Sequence, residues 1–537
     1  MKMWKQMSAA VLALCLCLGL LSGCGEQEDG FSLQAALVGQ MPSGDPAMVQ
    51  GAVQETVLLH LYQNLMQRTA SSDGESPAAS GVAQSYNETA NADGTVTYTF
   101  HLNGEASWSD GTAVTAQDFV YAWQRLADPA TGSPNAGLLE MVQGYAEVRS
   151  GDPEATLAVT AEDDQTLTVV LSYPCTWFLS DVCTAAATMP LREESTGEEG
   201  WAENWPDLVT NGAYEAQGQK GDQLTLTRRE ESASGPQTLT LRFTDNAQEA
   251  WELYQDKEVD FVSQLPQEEL ESHKDALVSQ PATECLLLNE TTEPLKDIQV
   301  RQALALAIDH SALAEILGTG ATAASGLVPS GIGQEDDEDF RTAGGALLDL
   351  EGTKTEENRT QARELLRQAG YGDDKKFPAL EYLYDTSDET AQAVAELVTE
   401  TWQEVLDVSV TPKGVSAEEL ATALSSGEYA LAAANVGTDC DDAMGFLDLW
   451  ETGGERNLLG YSNSAFDTLL SVIRSASDES VRQACLHDAE QLLLEDGALV
   501  PLYVDETCWM LRESCSGLQR DSLGHFYFQA VSPATGA

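Results

Sequence analysis

Cations are what this chain has least of. Of 537 residues only 27 are Lys or Arg, against 87 Asp and Glu, for a formal net charge of −60. That excludes nucleic acid as a partner, because binding it needs clustered cations that release counterions from phosphates. Anionic lipid headgroups would also repel the body of the protein. The acid excess reads as a strongly solvated surface. Histidine is scarce: His60, His101, His273, His310, His487 and His525 are scattered, and none sits at ligand spacing with another. No Cys-x-x-Cys pair occurs, so a zinc site or thioredoxin-like centre lacks its motif. HExxH, GxSxG and the P-loop are missing, which leaves the enzyme classes built on them without support. No metal, no cofactor and no catalytic residue is expected. Beyond the N-terminus no stretch is apolar and long enough to span a membrane, and no repeat is visible.

What is present suits a globular protein. Hydrophobic residues make up 42% and charged residues 21%, enough for sizeable cores and too balanced for disorder. The length has room for about two to four domains. Lys2 and Lys5 precede an apolar run from Ala9 to Leu21, the layout of a secretory signal, and the run is too short for a comfortable span. Leu21-Ser22-Gly23-Cys24 then resembles a bacterial lipobox, so cleavage before Cys24 would leave a thiol for lipid attachment. The alternative is an ordinary secretory signal with an incidental Cys24. After the signal and Cys24, seven cysteines remain: Cys175, Cys183, Cys285, Cys440, Cys485, Cys508 and Cys515. Outside the cell disulfides are allowed. Cys508 with Cys515, and Cys175 with Cys183, have the spacing to close short loops. The odd total leaves at least one thiol free.

Periodicity sets the elements. Val96, Tyr98, Phe100 and Leu102 alternate with polar residues, the pattern of a half-buried strand. Thr115 and Asp118 have capping-box spacing ahead of Phe119, Ala122, Trp123 and Leu126 on one helical face, and Asp128-Pro129 stops that helix. Leu157–Leu171 reads as a hairpin around Asp163-Asp164. Helices are predicted over Glu55–Met66, Ala247–Asp260, Pro294–Asp309 with Asp297 as N-cap, Thr360–Ala369, Thr390–Leu406, and from Ser464 and Asp478 onward. Ser416 and Glu419 form a second capping box. Strands are predicted over Phe31–Val38, Leu224–Arg228, Thr238–Thr244, Leu380–Tyr384, Val408–Val410, Tyr429–Ala434 and Ala498–Val504. Glu335–Asp339 is an acidic run without calcium-loop spacing and reads as a solvated loop. Helices alternating with short apolar strands argue for α/β lobes with covered sheets.

The stretch WSDGTAVTAQDFVYAWQRLADP, Trp108 to Pro129, closely resembles the signature of the extracytoplasmic oligopeptide-binding proteins, solute receptors of peptide ABC importers (solute-binding protein family 5). Further segments are similar to that family: Pro174–Phe178, Met189–Leu191, Val209–Tyr214, Tyr254 with Glu258 to Asp260, and Pro294–Asp309. The resemblance implies a type II periplasmic-binding-protein-like α/β fold, two lobes with a hinge and an appended α/β domain in the first lobe. The division it implies is 1–23 signal peptide, 24–30 tether, 31–70 first lobe, 71–189 appended domain, 190–282 first lobe again, 283–497 second lobe and 498–537 return to the first lobe. It implies a monomer that captures oligopeptides by lobe closure and delivers them to permease subunits, held outside the cytoplasmic membrane by its lipid, and not an enzyme.

The resemblance also implies a site. An Asp at the position of Asp439 takes the peptide α-ammonium, a charge-assisted bond suited to a closed cleft. Backbone groups at Asn435, Val436 and Gly437, and at Gln40 and Met41 on the opposite lobe, pair with the peptide main chain. Asn435 to Asp442 follow a buried strand, where α/β folds place ligands. The alternative is that Asp439 caps the next helix or faces water. Members carry an Arg where this chain has Ala433, a Trp where it has Val436 and a Tyr where it has Asn135. Some have a disulfide near the positions of Cys285 and Cys440, which makes a Cys285–Cys440 bridge an expectation of the resemblance. Relatives bind nickel complexes, haem, signalling peptides or sugars, so the same fold with another cargo stays open, as do a secreted hydrolase and a structural lipoprotein.

Overall fold

The computed structural model describes residues 30–68, 78–229, 234–335, 338–372, 375–438, 440–454, 456–476 and 478–534. Cys24 lies outside them. Ser32–Val38 sits inside a six-stranded sheet, parallel to Thr238–Thr244 on one side and to Phe261–Val262 on the other. Gln223–Arg228 and Tyr214–Lys220 extend it antiparallel, and Met510–Leu511 forms the opposite edge. Parallel neighbours need a crossover. Here the crossover carries the helix Ala52–Leu61 and a separate antiparallel sheet of Ala83–Ala90, Val96–Leu102, Thr166–Leu171 and Val159–Asp163.

In that separate sheet Val96, Tyr98, Phe100 and Leu102 are all buried, as the alternation requires. The helix Ala116–Ala127 lays Phe119, Ala122, Trp123 and Leu126 into the same core. Its start is held by Asp118, which accepts the Thr115 backbone N–H at 2.8 Å, and the Thr115 hydroxyl and the Trp108 indole N–H at 3.2 Å each.

The second lobe is built on a seven-stranded sheet. Its path is Val278–Ser279, Leu499–Thr507, Ala282–Leu288, Leu431–Gly437, Leu380–Asp385, Val410–Val415, with Ala321–Ala323 paired to Leu499–Thr507. Helix layers cover both faces. Leu286 and Leu288 join a core with Val300, Leu304, Ala362 and Val398, while Cys285 and Leu287 join one with Phe466, Leu470 and Leu486. Burial on both faces explains why these strands read as continuous apolar runs. Asp297 caps Ile298–Ala307 by accepting the Gln299 N–H at 2.9 Å, and Ser416 and Glu419 make the expected reciprocal box.

Several expectations need correction. The strand expected to return to the first lobe belongs to the second sheet. Leu499–Thr507 is apolar towards both faces, with Leu499 in one core and Val500, Leu502 and Tyr503 in the other. Only a sheet covered on both sides can bury such a strand. The second sheet therefore runs from Val278 through Thr507 rather than within 283–497, and the return is Met510–Leu511. The strand expected at Val408–Val410 is Val410–Val415, because Asp407 turns the chain through a left-handed conformation (φ 54°) first. The helix expected at Glu55–Met66 is Ala52–Leu61.

All seven described cysteines are free thiols, so neither the short-loop bridges nor Cys285–Cys440 is formed. Cys285 pairs with Ala434, three residues inside the strand end where Ala282 meets Gly437. Its side chain is enclosed in the core, away from the loop that carries Cys440. Among the described residues no helix is long and apolar enough to cross a membrane.

Only the segments 263–277 and 508–509 separate the strands of the first sheet from those of the second at this boundary. They are joined by the Leu265 N–H, which donates to the Cys508 carbonyl at 2.9 Å, and just beyond them the Gln280 N–H donates to the Asp505 carbonyl at 2.8 Å.

Candidate ligand-binding cleft

The space between the lobes holds a cavity of about 490 Å³ beside these crossings. Val38, Ala52, Val53 and Thr56 line it from the first lobe, and Asp388, Asp505 and Thr507 from the second. These residues reach it because Val38 ends the parallel strand and Ala52 begins the following helix, the strand-end crevice where open α/β sheets leave room for ligands. Further along, a cavity of about 130 Å³ separates Asn135, Trp177 and Asp181 of the appended domain from Gly437, Thr438 and Cys440 of the second lobe.

The strand Leu431–Gly437 reaches the smaller of the two at Gly437. One edge is fully laddered, with Ala282 opposite Gly437, Thr283 opposite Val436 and Glu284 opposite Asn435. The other edge pairs with its parallel neighbour only at Leu431 and Ala432. From Ala433 to Gly437 that edge has no strand beside it among the described residues.

The site residues expected from the sequence fall into three groups. Asp439 lies outside the described residues. Its flanks are fixed, since the Cys440 N–H donates to the Thr438 hydroxyl at 3.1 Å. Asn435, Val436 and Gly437 come together on the half-laddered strand. Asn435 is exposed and its amide donates to Glu284 Oε1 at 2.6 Å, whereas the Val436 side chain is buried in the second lobe, leaving only its backbone for a ligand. Gln40 and Met41 lie just past the first-lobe strand Ser32–Val38. Gln40 is exposed, Met41 packs against the core of the first lobe, and neither is among the residues lining the cavities described here. The Gly39 N–H bonds to the Thr244 carbonyl at 2.9 Å and carries the parallel ladder one residue past Val38, and Ala52 and Val53 line the larger cavity from the helix that follows. Asn135 does face the smaller cavity, while its amide donates to the Val49 carbonyl at 2.7 Å.

Electrostatics distinguish the cleft. Burial pushes the Glu284 carboxyl up to about 7, opposed by the Asn435 bond and reinforced by Asp505 and Asp388. Burial and then Asp388 push Asp505 up to about 6. Tyr503 donates to Asp388 Oδ2 at 3.3 Å, and Asp388 Oδ1 caps the helix Glu389–Leu406.

At the mouth, the appended domain is tied to the second lobe. Asp181 Oδ1 accepts the Asp441 backbone N–H and Arg68 Nη2, both at 3.1 Å. Burial raises the Asp181 carboxyl to about 6 against the pull of Arg68. Arg482 bonds Asp442 at 2.7 Å and lies 4.9 Å from the centre of the Trp177 ring. Arg474 reaches Glu140 at 3.5 Å and Glu451 at 2.8 Å. None of these charged residues stood out in the sequence, because in a chain with 87 acids a single carboxylate carries no signal.

The comparisons agree with this architecture. The family model of the bacterial extracellular solute-binding proteins, family 5 Middle, matches residues 78–457. The periplasmic oligopeptide-binding protein OppA of Escherichia coli (strain K12) is 30% identical over 485 residues, 86% of this chain and 85% of that protein. The probable deoxycholate-binding periplasmic protein YgiS of the same strain is 26% identical over 496 residues, 88% of each. The solved structure of Burkholderia pseudomallei OppA matches with a TM-score of 0.77 at 26% identity, over 94% of this chain and 100% of that one. The fold is the type II periplasmic-binding-protein fold, and the chain belongs to the bacterial extracellular solute-binding proteins, family 5.

Proposed function

We propose that this protein captures short peptides between its lobes outside the cytoplasmic membrane and delivers them to the permease of an ABC importer. The observation that carries the reading is the strand Leu431–Gly437, whose edge beyond Ala432 has no strand beside it among the described residues where it approaches the smaller cavity. An extended peptide added there gains main-chain hydrogen bonds that do not depend on its side chains. Asp439, on the loop that follows, takes the peptide α-ammonium. Closure around the two crossings between the sheets excludes water from that contact and strengthens it. The names of relatives such as OppA support a peptide cargo. Cys24 carries the lipid that holds the monomer at the membrane surface.

Native mass spectrometry of the purified protein tests the reading: co-purifying peptides of a few residues are expected. An empty cleft with no thermal shift from peptide mixtures would count against it. Asp439→Ala is expected to weaken free-amino peptides far more than their N-acetylated forms. Equal loss for both would remove Asp439 from the ammonium site.

A second reading keeps the fold and changes the cargo. Leu37, Val53, Leu265 and Phe526 give the larger cavity an apolar side, which would suit an amphipathic molecule. Tight binding of a bile acid with no response to any peptide would favour it.

A further inference from the structure

The larger cavity is bipolar. Its second-lobe wall carries Asp388, Asp505 and Glu506, and none of the three is ion-paired among the described residues. Its first-lobe wall carries Arg520, whose single recorded hydrogen bond is a long one, 3.4 Å to the Asp521 carbonyl. That isolation is unusual in this chain. Arg68, Arg125, Arg301, Arg341, Arg474 and Arg482 each meet a carboxylate. With 87 acids for 27 cations, a guanidinium that faces a cleft with only the adjacent Asp521 to favour its charge, and with no ion pair among the described residues, is not a matter of supply.

The cavity also holds unmet polar capacity. Thr507, only 9% exposed, lines it with a hydroxyl that has no hydrogen-bond partner among the described residues, and the Gln280 amide nitrogen, on the same cavity, has none among them either. Buried polar atoms are normally satisfied, so an enclosed hydroxyl without a partner on a cavity wall marks where a bound group belongs. Asp388, next to Asp505 on the same wall, raises the Asp505 carboxyl by like-charge repulsion, and a cation between them would relieve it.

We infer that this cavity selects peptides ending in a basic residue: Asp388 and Asp505 take the side-chain cation, and Arg520 takes the terminal carboxylate. The inference rests on the peptide reading above. The chemistry follows from the two walls. A carboxylate pairs with a guanidinium through its planar fork, and an ammonium or guanidinium pairs with carboxylates across the cleft. A C-terminal Lys or Arg is the simplest peptide end that carries both charges close together. A neutral end satisfies one wall, and an acidic end sets like charges against Asp505. The pairing forms only when both lobes close, so it would couple cargo identity to closure.

Isothermal titration calorimetry at pH 7.5 with Ala-Ala-Lys, Ala-Ala-Ala, Ala-Ala-Glu and Ala-Ala-Lys-amide tests it. On the natural protein Ala-Ala-Lys is expected to bind tightest, by about tenfold or more over Ala-Ala-Ala, the scale of one buried charge-assisted contact. Amidation of its C-terminus should remove a comparable factor. Asp505→Asn should narrow the Lys-over-Ala ratio, and Arg520→Gln should narrow the acid-over-amide ratio, with both variants first checked for native melting. Equal affinity for Ala-Ala-Lys and Ala-Ala-Ala on the natural protein overturns the inference and leaves the peptide reading standing. No binding of any of the four, with a bile acid or another non-peptide bound instead, overturns the peptide reading and this inference with it.

Discussion

Burial holds a proton on Glu284 that the unfolded chain would already have released, since the folded carboxyl sits at about 7. Between the ordinary glutamate range and about pH 7 the folded state binds more protons than the unfolded one, so this group's contribution to stability falls as pH rises through that window. Glu284→Gln keeps an oxygen for Asn435 and removes the charge. It is expected to raise the stability at pH 8 by on the order of 1–3 kcal/mol and to change it little at pH 4. Thermal melting at both pH values checks the sign. Glu490 is the opposite case. It is 0% exposed and accepts the Leu327 and Val328 backbone N–H groups at 2.7 and 3.0 Å, together with the Arg341 guanidinium. Glu490→Ala leaves Arg341 buried without its carboxylate, and chemical denaturation should show a loss of about 3–5 kcal/mol.

At the scale of elements, starts and stops are local and periodic, and these the sequence carried well. Thr115 with Asp118, Asp297, and Ser416 with Glu419 all sit at helix starts because a side-chain oxygen meets backbone N–H groups that have no partner in the first turn. Asp118 carries an added duty to the Trp108 indole. Asp118→Ala is therefore expected to cost about 1–2 kcal/mol, at the upper end for a cap. Restoring Asn at that position should return part of the loss in the same denaturation assay. Strand membership was less legible. Leu499–Thr507 has the composition of a central strand, but which sheet would cover both its faces depends on helices far away in the chain.

At the scale of the whole molecule, closure brings together two lobes of a strongly acidic chain. A net charge of −60 opposes bringing the lobes together, and the Asp181 contact with the Asp441 backbone and Arg68 offsets part of that repulsion. Asp181→Ala is expected to shift the unliganded protein towards an open form. Small-angle scattering should then report a larger radius of gyration than for the natural protein, with the difference shrinking as salt screens the repulsion. An unchanged radius at low salt would mean that Asp181 does not hold the mouth closed.

The sequence by itself determined the helix caps, the alternating strand Val96–Leu102, most element positions and, through Trp108–Pro129, the family. These depend on neighbours within a few turns of chain or on a long ordered match. It also pointed to the stretch after a buried strand as a candidate site, by the rule that ligand crevices open at strand ends, and Gly437 and Thr438 there do border a cavity. Only the tertiary structure decided the rest. Ala52 and Val53, on the helix after the first strand, face the larger cavity, a placement that only the packing of that helix against the strand end sets. Cys285 is held in a core by its register, out of reach of Cys440. Asp388, Asp505 and Arg520 gather on one cavity from separate elements. Their meaning lies in sharing one low-dielectric space, a property that no single segment of an acid-rich chain can express.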